Sequence, residues 1–278
     1  MDKRGQGAQF SWVFAVFAGM IIFMFFMGFG VKYMDLQETK ESAAIARNFN
    51  NLVTSAKSSE QYLSYSPNIP PFKLFFDLDD CSTFWINDDV SLRVFGIVFG
   101  SNALSSDYVI WSKSWYAPFR VDNFVYVSDV SRKYYFDPSF ASLSSLMEEK
   151  FLIVSNPSDA DVVVLPIDVG NIYPGSEIVV SSSSVKFVEE GSEFSHHSDE
   201  FIYAAIFSND AFQYKCNYDK LIERFEFMKS SYLYKAQNLG GCNYSPIISA
   251  LGSLSVDDSS ALESENLALS NFECEVVF

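Results

Sequence analysis

The sequence predicts an α+β protein with a long N-terminal helix, a mainly antiparallel β domain and a helical C-terminal segment. Three observations predict it: an uncharged apolar run near the N-terminus, many short runs rich in aromatic and β-branched residues, and helical periodicity near the C-terminus. We expect a flank and transmembrane helix over residues 1–31, an amphipathic helix and Pro-rich connector over 32–71, and a domain over 72–278. The helical part of that domain is expected from about residue 217.

The first element is an apolar stretch over residues 10–31, and no charged residue occurs between Gly5 and Val31. A hydrocarbon core about 30 Å thick requires roughly 20 apolar residues in a helix. The run is too long for a cleaved secretory signal. Because Lys3 and Arg4 precede it, and basic flanks tend to remain cytoplasmic, we expect a single-pass protein with a cytoplasmic N-terminus and an extracytoplasmic C-terminal domain.

The second element continues the first, since no Pro or Gly occurs between residues 32 and 66. An apolar stripe recurs there at helical spacing: Ile45, Phe49, Leu52 with Val53, and Ala56. We expect one nearly continuous helix from about Phe10 to about Ser58, ended by the prolines that follow. The piece from about Pro70 to Phe278 is expected to fold without this helix.

The β domain is predicted from runs such as SLRVFGIVF, KFLIVS and FIYAAIFS, which we expect to be strands. Their separations are too short for crossover helices, which favours antiparallel pairing. A short helix is expected around residues 139–149, and the four serines at 181–184 indicate a polar strand or hairpin edge. A longer helix is expected to begin near Asn217 and to end at Gly240 and Gly241.

Four cysteines are predicted to lie outside the cytoplasm, where disulfides persist, so we expect at least one bridge. Cys216 with Cys242 is the least expected pair, because a helix about 30 Å long would separate them. A bridge requires Cα atoms within about 7 Å of each other. Cys274 is the better partner for either residue.

The net charge of the chain indicates which classes of partner it favours. The chain has 35 acidic and 19 basic residues, a formal charge of −16, and this excess of negative charge repels phosphate backbones. We therefore expect membrane lipid as a partner and no nucleic acid. Within the apolar run, Ser11, Ala15 and Gly19 recur every four residues, a spacing that favours close helix packing, whereas the phenylalanines suit lipid: Phe14, Phe17, Phe23, Phe25 and Phe26. Self-association, or contact with another membrane protein, is expected through the small residues.

The opening KRGQGAQFSWVFAVFAG resembles the N-termini of archaeal type IV pilin-like proteins. The resemblance covers about the first 30 residues, and the amphipathic extension and β domain match the pilin plan in outline. It implies a cut before Gln6 by a membrane peptidase, followed by packing of the freed helices into a filament core. The sequence departs from the family at Phe10, where a Glu is usual. The resemblance implies a membrane-anchored cell-surface protein with a structural or binding role.

A second resemblance gives an alternative function. LFFDLDDCST is similar to the first motif of haloacid-dehalogenase-type phosphatases, which would make Asp77 the nucleophile and Asp79 the acid/base beside magnesium. Cys81 stands where that family has Thr, and the strand-rich sequence that follows departs from the family's alternation of strands and helices. We therefore expect no enzyme activity and no catalytic, cofactor-binding or metal-binding residues.

A tethered glycan- or protein-binding module is the other alternative, because aromatic residues concentrate in one stretch: Trp111, Trp115, Tyr116, Phe119 and Phe124. Core packing in strands would explain them equally. The adjacent His196 and His197 fit a metal site or a polar turn, and the acidic groups at residues 77–80 and 88–89 fit loose calcium binding or solvated loops. Asn243 fits the acceptor pattern for glycosylation.

Overall fold

The fold is that of a computed structural model, which describes residues 4–59, 61–66, 72–77, 81, 83–94, 96–101, 103–104, 107–148, 150–166, 176–208, 210–256 and 260–278. The helices are α1 Arg4–Ser58, α2 Ala141–Met147, α3 Asp199–Phe207, α4 Ala211–Asn238, α5 Ser245–Ser253 and α6 Ser260–Asn271. The strands are β1 Gln61–Ser66, β2 Phe72–Phe76, β3 Thr83–Ile86, β4 Val90–Arg93, β5 Ile97–Gly100, β6 Ala103–Leu104, β7 Tyr108–Tyr116, β8 Arg120–Asp129, β9 Lys133–Phe136, β10 Leu152–Ile153, β11 Val162–Pro166, β12 Ser176–Val180, β13 Ser184–Phe187 and β14 Ser192–Ser195.

The strands form three sheets. The central sheet has the order β1-β7-β8-β5, in which β5 alone is parallel to its neighbour. A second sheet has the order β10-β9-β11-β12-β13-β14, with parallel pairing as far as β12 and antiparallel pairing beyond it. The third sheet, β4-β3-β2-β6, is antiparallel. Antiparallel pairs predominate, so the predicted α+β class with a helical C-terminal segment is confirmed.

The central sheet separates two apolar cores, because successive side chains of a strand point to opposite faces. In β8, Phe124 and Tyr126 enter the core shared with α3, α4 and the second sheet. Val125 and Val127 enter the core on the other face, which contains the second half of α1 and residues of β2 and β3. The central sheet is therefore covered on both faces, by α1 on one and by the C-terminal helices on the other.

The second half of α1 is part of the domain core. Phe49 is 0% exposed and packs edge-to-face on Phe84, with ring centroids 4.9 Å apart. Ile45, Val53 and Ala56 are buried in the same core, as the sequence periodicity predicted. β1, which follows α1 directly, pairs with β7 along its whole length. The expectation that a piece starting near Pro70 folds alone is therefore revised: that piece lacks one wall of a core and an edge strand.

A side chain from β8 caps the C-terminal end of α1. The last carbonyl groups of any helix have no partner within the helix and need donors from elsewhere. Asn123, which is buried, donates from Nδ2 to the Lys57 carbonyl at 2.9 Å and also to the Ser59 carbonyl. Its Oδ1 accepts from Ser114 Oγ at 2.7 Å. This cap fixes where the helix ends against the sheet.

Several local predictions are wrong. FIYAAIFS is helix α3 rather than a strand; residues 201–207 are all buried, so the run has no polar face that would reveal its period. SLRVFGIVF divides into β4 and β5, which belong to different sheets, and KFLIVS contributes only the two residues of β10. Helix α4 begins at Ala211 rather than near Asn217, because Asp210 Oδ1 accepts from the Gln213 backbone N–H at 2.7 Å and caps it.

Other local predictions are confirmed. The serines at 181–184 form the turn between β12 and β13, and the helix expected around residues 139–149 is present as α2 after a short 3-10 turn. The expectation of at least one bridge is confirmed, and the Cys242–Cys274 bridge agrees with the expected role of Cys274, whereas the pairing of Cys81 with Cys216 was not predicted. Cys81 bridges to Cys216, and Cys242 bridges to Cys274, with Cα atoms 6.0 and 6.1 Å apart. The first bridge joins the start of β3 to α4, and the second joins the segment before α5 to the chain after α6.

Candidate functional site: the exposed half of the N-terminal helix

The first half of α1 exposes apolar side chains around its whole circumference. Of the helices in the described part of the chain, this one alone is long and apolar enough to cross a membrane; its most apolar 18-residue window has a mean hydropathy of 2.3 and is 0% buried. Phe25 is 70% exposed, and Phe14, Phe17, Phe23 and Phe26 are exposed as well. A core helix of a soluble protein would be covered by the rest of the chain, and this half is not.

The ends of the apolar segment carry aromatic side chains. Trp12 and Tyr33 are both exposed, and they lie about 31 Å apart along a straight α-helix. Trp and Tyr concentrate at the two interfaces of a bilayer, whose hydrocarbon core is about 30 Å thick. Beyond Tyr33 the helix stays exposed as far as Glu41, but it now carries charged residues: Asp35, Glu38, Lys40 and Glu41. The exposed half thus divides into an apolar segment and a short charged stalk.

The turn between β3 and β4 holds α1 where it reaches the domain. Ser42 is buried; its Oγ accepts from Asn87 Nδ2 at 3.3 Å and donates to Asp89 Oδ2 at 3.4 Å. Asn87 and Asp88 have positive φ angles of 53° and 62°, a conformation that Asn and Asp tolerate better than most residues. Asp89 therefore has a structural partner, and the described residues contain no group of three His, Cys, Asp or Glu that could hold a metal ion.

In a single chain, no other described part of the protein covers the small residues Ala15 and Gly19 of the apolar segment. Ala15 is exposed, and a Cβ atom added to Gly19 would meet nothing within 4 Å. The Ser11 side chain lies outside the described part of the structure. Larger side chains at Gly19 would therefore cause no clash within one chain, and only an intermolecular contact could be disturbed by them.

The aromatic stretch predicted as a binding surface is mostly core. Trp111, Trp115, Phe119 and Phe124 are buried, and only Tyr116, at 52%, is substantially exposed. Trp115 packs edge-to-face on Phe201 of α3, with ring centroids 5.2 Å apart. The proposal of a glycan- or peptide-binding aromatic surface is wrong for these four residues, because the strand period turns them towards α3 and α4.

The phosphatase-like motif gains no support from the fold. Asp77 follows β2, and its backbone N–H donates to the Thr83 carbonyl at 2.9 Å in an antiparallel sheet. Cys81 is engaged in a disulfide. Asp79 and Asp80 lie outside the described residues.

The phosphatase resemblance would also need later motif residues, for which Ser128, Lys150 and the acidic pair at residues 257–258 are the candidates in this sequence. The pair at 257–258 lies outside the described residues, and the other two have local partners. Ser128 Oγ lies 2.6 Å from Tyr134 Oη, and Lys150 Nζ donates to the Leu146 carbonyl at 3.2 Å. Both residues therefore take part in local packing.

The histidines and the buried Tyr126 have structural partners. His196 Nε2 lies 2.9 Å from the Ser181 carbonyl oxygen, and His197 Nε2 lies 3.0 Å from Tyr218 Oη. Tyr126 Oη donates to the Glu200 carbonyl at 3.0 Å. Burial, and secondly the negative charge of Glu200, raise the pKa of Tyr126 well above its ordinary value. These contacts join β8, α3, α4 and the turn after β12 within the domain.

One feature of the surface escaped the sequence analysis: a cleft between α5 and α6 with a cavity volume of about 410 Å³. The Cys242–Cys274 disulfide lies in its wall, and Asn243 lies beside it, exposed, with Oδ1 accepting from the Ser245 backbone N–H at 3.2 Å. Glycosylation of Asn243 stays a prediction. The sequence feature that could have drawn attention to this region is the composition of residues 239–278, which contain six acidic residues and no Lys, Arg or His.

Comparisons with known proteins found no protein-family model, no curated protein and no solved structure that matches this chain.

Proposed function

We propose that this chain is a single-pass membrane-anchored cell-surface protein with a structural or binding role, built on a pilin-like plan. One observation carries the proposal: a single helix has a fully exposed apolar half and a half that is part of the domain core. Burying apolar surface is worth about 25 cal/mol per Å², so the exposed half would be strongly driven out of water into lipid or against other apolar helices.

Two features support an extracytoplasmic location of the domain. All four cysteines are in disulfides, and disulfides persist in oxidising compartments outside the cytoplasm. The basic residues Lys3 and Arg4 precede the apolar segment, which favours a cytoplasmic N-terminus. Both features favour a domain on the outer side of the membrane.

A structural role is supported by the continuity of α1. The same helix passes from the apolar segment into the domain core without a break, and the turn around Asn87 and the Asn123 side chain hold its second half. Helices packed side by side through their first halves would therefore set the spacing of their domains. Cleavage before Gln6, which the N-terminal resemblance implies, is part of this proposal.

Membrane insertion is tested by charging the middle of the apolar segment. A charged side chain at the centre of a membrane helix costs about 3 kcal/mol. The double variant Ile22→Asp/Phe23→Asp should lose carbonate-resistant membrane association, whereas Glu38→Gln in the stalk should retain it. Equal association of both variants would overturn the anchor.

N-terminal sequencing of the membrane-bound protein tests processing. A chain that starts at Gln6 supports the pilin-like plan, and an intact N-terminus reduces the proposal to a plain anchor.

Self-association is tested on the small-residue face. Gly19→Leu meets no atom of its own chain, so a fall in crosslinking between copies in native membranes would report a contact between helices. We expect Gly19→Leu or Ala15→Leu to lower the crosslinking yield several-fold and Phe25→Leu to leave it unchanged. Equal yields for these variants and the parent would remove the contact face and leave a tethered binding module.

A further inference from the structure

The cleft between α5 and α6 has the features of a small-molecule site. Its volume of about 410 Å³ lies in the range of roughly 300–1,000 Å³ that is usual for ligand pockets. Its walls are mostly apolar and come from α5, from α6 and from the residue that follows α6: Pro246, Ile247, Ala268, Leu269 and Phe272. Phe272 is 80% exposed at the edge of the cleft, a large apolar area for the surface of a domain. The apolar part of a ligand in this cleft would therefore be covered from two sides.

The cleft contains one charged side chain, Glu265, which is half-buried. Within the described part of the chain its carboxylate forms no ion pair and no hydrogen bond. The nearby lysines of α4 are engaged elsewhere: Lys229 with Glu226 at 2.8 Å, and Lys235 with Glu275 at 3.3 Å. A partly desolvated carboxylate beside an apolar wall favours a cationic partner.

The surrounding charge has the same sign as Glu265. Residues 239–278 contain six acidic residues and no basic ones in the sequence. Four of the acidic residues lie in the described part of the chain, and Lys235 of α4 pairs with one of them, Glu275. The carboxylates of Glu263, Glu265 and Glu273 remain in excess on α6 and the segment after it, and they favour cations over anions. The other polar wall residue, Asn243, uses its Oδ1 for the turn at the start of α5 and adds no positive charge.

From these observations we infer that the α5–α6 cleft binds a small organic cation: an ammonium or guanidinium group on a compact apolar body. The cation pairs with Glu265, and the apolar body packs between Ile247, Leu269 and Phe272. A neutral molecule of the same shape gains only the apolar part of this interaction, and a carboxylate of the same shape is repelled by Glu265. The site is independent of the membrane anchor, and its success or failure leaves the proposed function standing.

The Cys242–Cys274 disulfide makes the cleft dependent on oxidation. Cys242 lies before α5 and Cys274 after α6, and both line the cleft, so the bridge holds its two walls together. The other bridge, Cys81–Cys216, does not line it. The two disulfides therefore form a matched pair for an experiment in which only one of them should affect binding.

The test measures binding of three probes with one apolar body: 4-phenylbutylammonium, 4-phenylbutan-1-ol and 4-phenylbutyrate. The full chain is reconstituted in lipid nanodiscs at about 0.15 M salt, where charges beyond about 8 Å are screened. It is made in a host without N-glycosylation, since Asn243 borders the cleft. Affinities are obtained by ligand-detected NMR, with empty nanodiscs subtracted. We expect the ammonium probe to bind about tenfold more tightly than the alcohol, and the carboxylate probe more weakly than either.

Variants assign the binding to the cleft. Glu265→Gln should remove the preference for the ammonium probe, whereas Glu263→Gln, an exposed residue of the same helix that does not line the cleft, should keep it. Ala268→Trp should fill the cleft and abolish binding of all three probes. The double variant Cys242→Ser/Cys274→Ser should weaken binding more than Cys81→Ser/Cys216→Ser. Equal affinity for the three probes, or binding that persists in Ala268→Trp, would overturn the site.

Discussion

The two halves of α1 belong to one helix but are covered by different surroundings. Residues 12–31 are apolar on every side and exposed, whereas residues 42–56 are apolar along one stripe and buried on that stripe alone. A helix that is apolar all round requires an apolar medium on every side, and an amphipathic helix requires only one covered face. The angular spread of the apolar residues therefore distinguishes the half that requires an apolar medium on every side from the half that packs on the domain.

The largest expected effect comes from removing the second half of α1. A chain that begins near Pro70 lacks the apolar stripe and β1, so it should aggregate or be cleaved rapidly by protease. A chain that begins at Glu38 retains both and should express as a folded, soluble domain in an oxidising compartment. Circular dichroism and limited proteolysis of the two products measure the difference. A cooperatively folded product from the shorter chain would show that the stripe is dispensable.

A pair of matched substitutions separates the two halves at single residues. Phe49→Ala should lower the free energy of unfolding of the domain by about 3–5 kcal/mol, because it leaves a cavity in a closed core. Phe25→Ala makes the same chemical change on the exposed half and should leave domain stability within about 0.5 kcal/mol of the parent. Urea unfolding of the solubilised protein, followed by tryptophan fluorescence, gives both values. Similar losses of unfolding free energy in the two variants would contradict the division of α1 into an exposed half and a half buried in the domain.

The cap that Asn123 forms at the end of α1 should contribute less to the stability of the domain than the Phe49 side chain does. Asn123→Leu removes the donors to the Lys57 and Ser59 carbonyls, so we expect a loss of about 1–3 kcal/mol in the free energy of unfolding. Asn51→Leu, at an exposed position of the same helix, is the control and should have little effect. Urea titration measures both changes. If Asn123→Leu is as stable as the parent, the cap does not fix the end of α1.

The smallest effect per side chain should be seen at high pH, on the side of the central sheet away from α1. Burial raises the pKa of Tyr126 and of Tyr214 above the ordinary value of about 10, so the folded state favours the neutral phenol. Their contribution is complete below about pH 10 and is lost as the pH rises, because the unfolded chain ionises first. Stability should fall by about 1.4 kcal/mol per pH unit for each such tyrosine above pH 10.

Substitutions identify the residues responsible for this slope. Tyr126→Phe should reduce the alkaline loss of stability, measured by urea titration at about pH 9 and about pH 11. Tyr116→Phe, at an exposed position of the neighbouring strand, should leave it unchanged. A slope that is the same in the parent and in Tyr126→Phe would mean that Tyr126 does not contribute to it.

The sequence predicted the parts of the fold that have a clear period or a strong local signal. The C-terminal limit of α1 at Ser58, the stripe through Phe49, and the exclusion of a Cys216–Cys242 bridge follow from helix geometry, whereas α1 begins at Arg4, six residues before the predicted start at Phe10. Helix α3 was missed because residues 201–207 are buried on every side and show no period. The pairing of Cys81 with Cys216 was not predictable, since it joins residues 135 positions apart whose proximity depends on the assembled sheets.

The candidate sites were predictable only where local composition decided them. The apolar segment was evident from hydropathy, but the aromatic residues from Trp111 to Phe124 were ambiguous until the strand faces were known. The cleft beside Glu265 was not evident, because it forms between two helices that a disulfide holds together. Local sequence indicates what each of these helices contains, whereas the space between them depends on tertiary packing.

The most direct test of the account is the accessibility of single introduced cysteines to a membrane-impermeant maleimide in intact cells. The native cysteines are all in disulfides and do not react. Glu38→Cys should be labelled at once from outside, Phe25→Cys only after detergent removes the lipid, and Ala56→Cys, buried in the core, only after urea. Immediate labelling of Phe25→Cys, or protection of Glu38→Cys until the cells are lysed, would contradict a lipid-covered first half and an external domain.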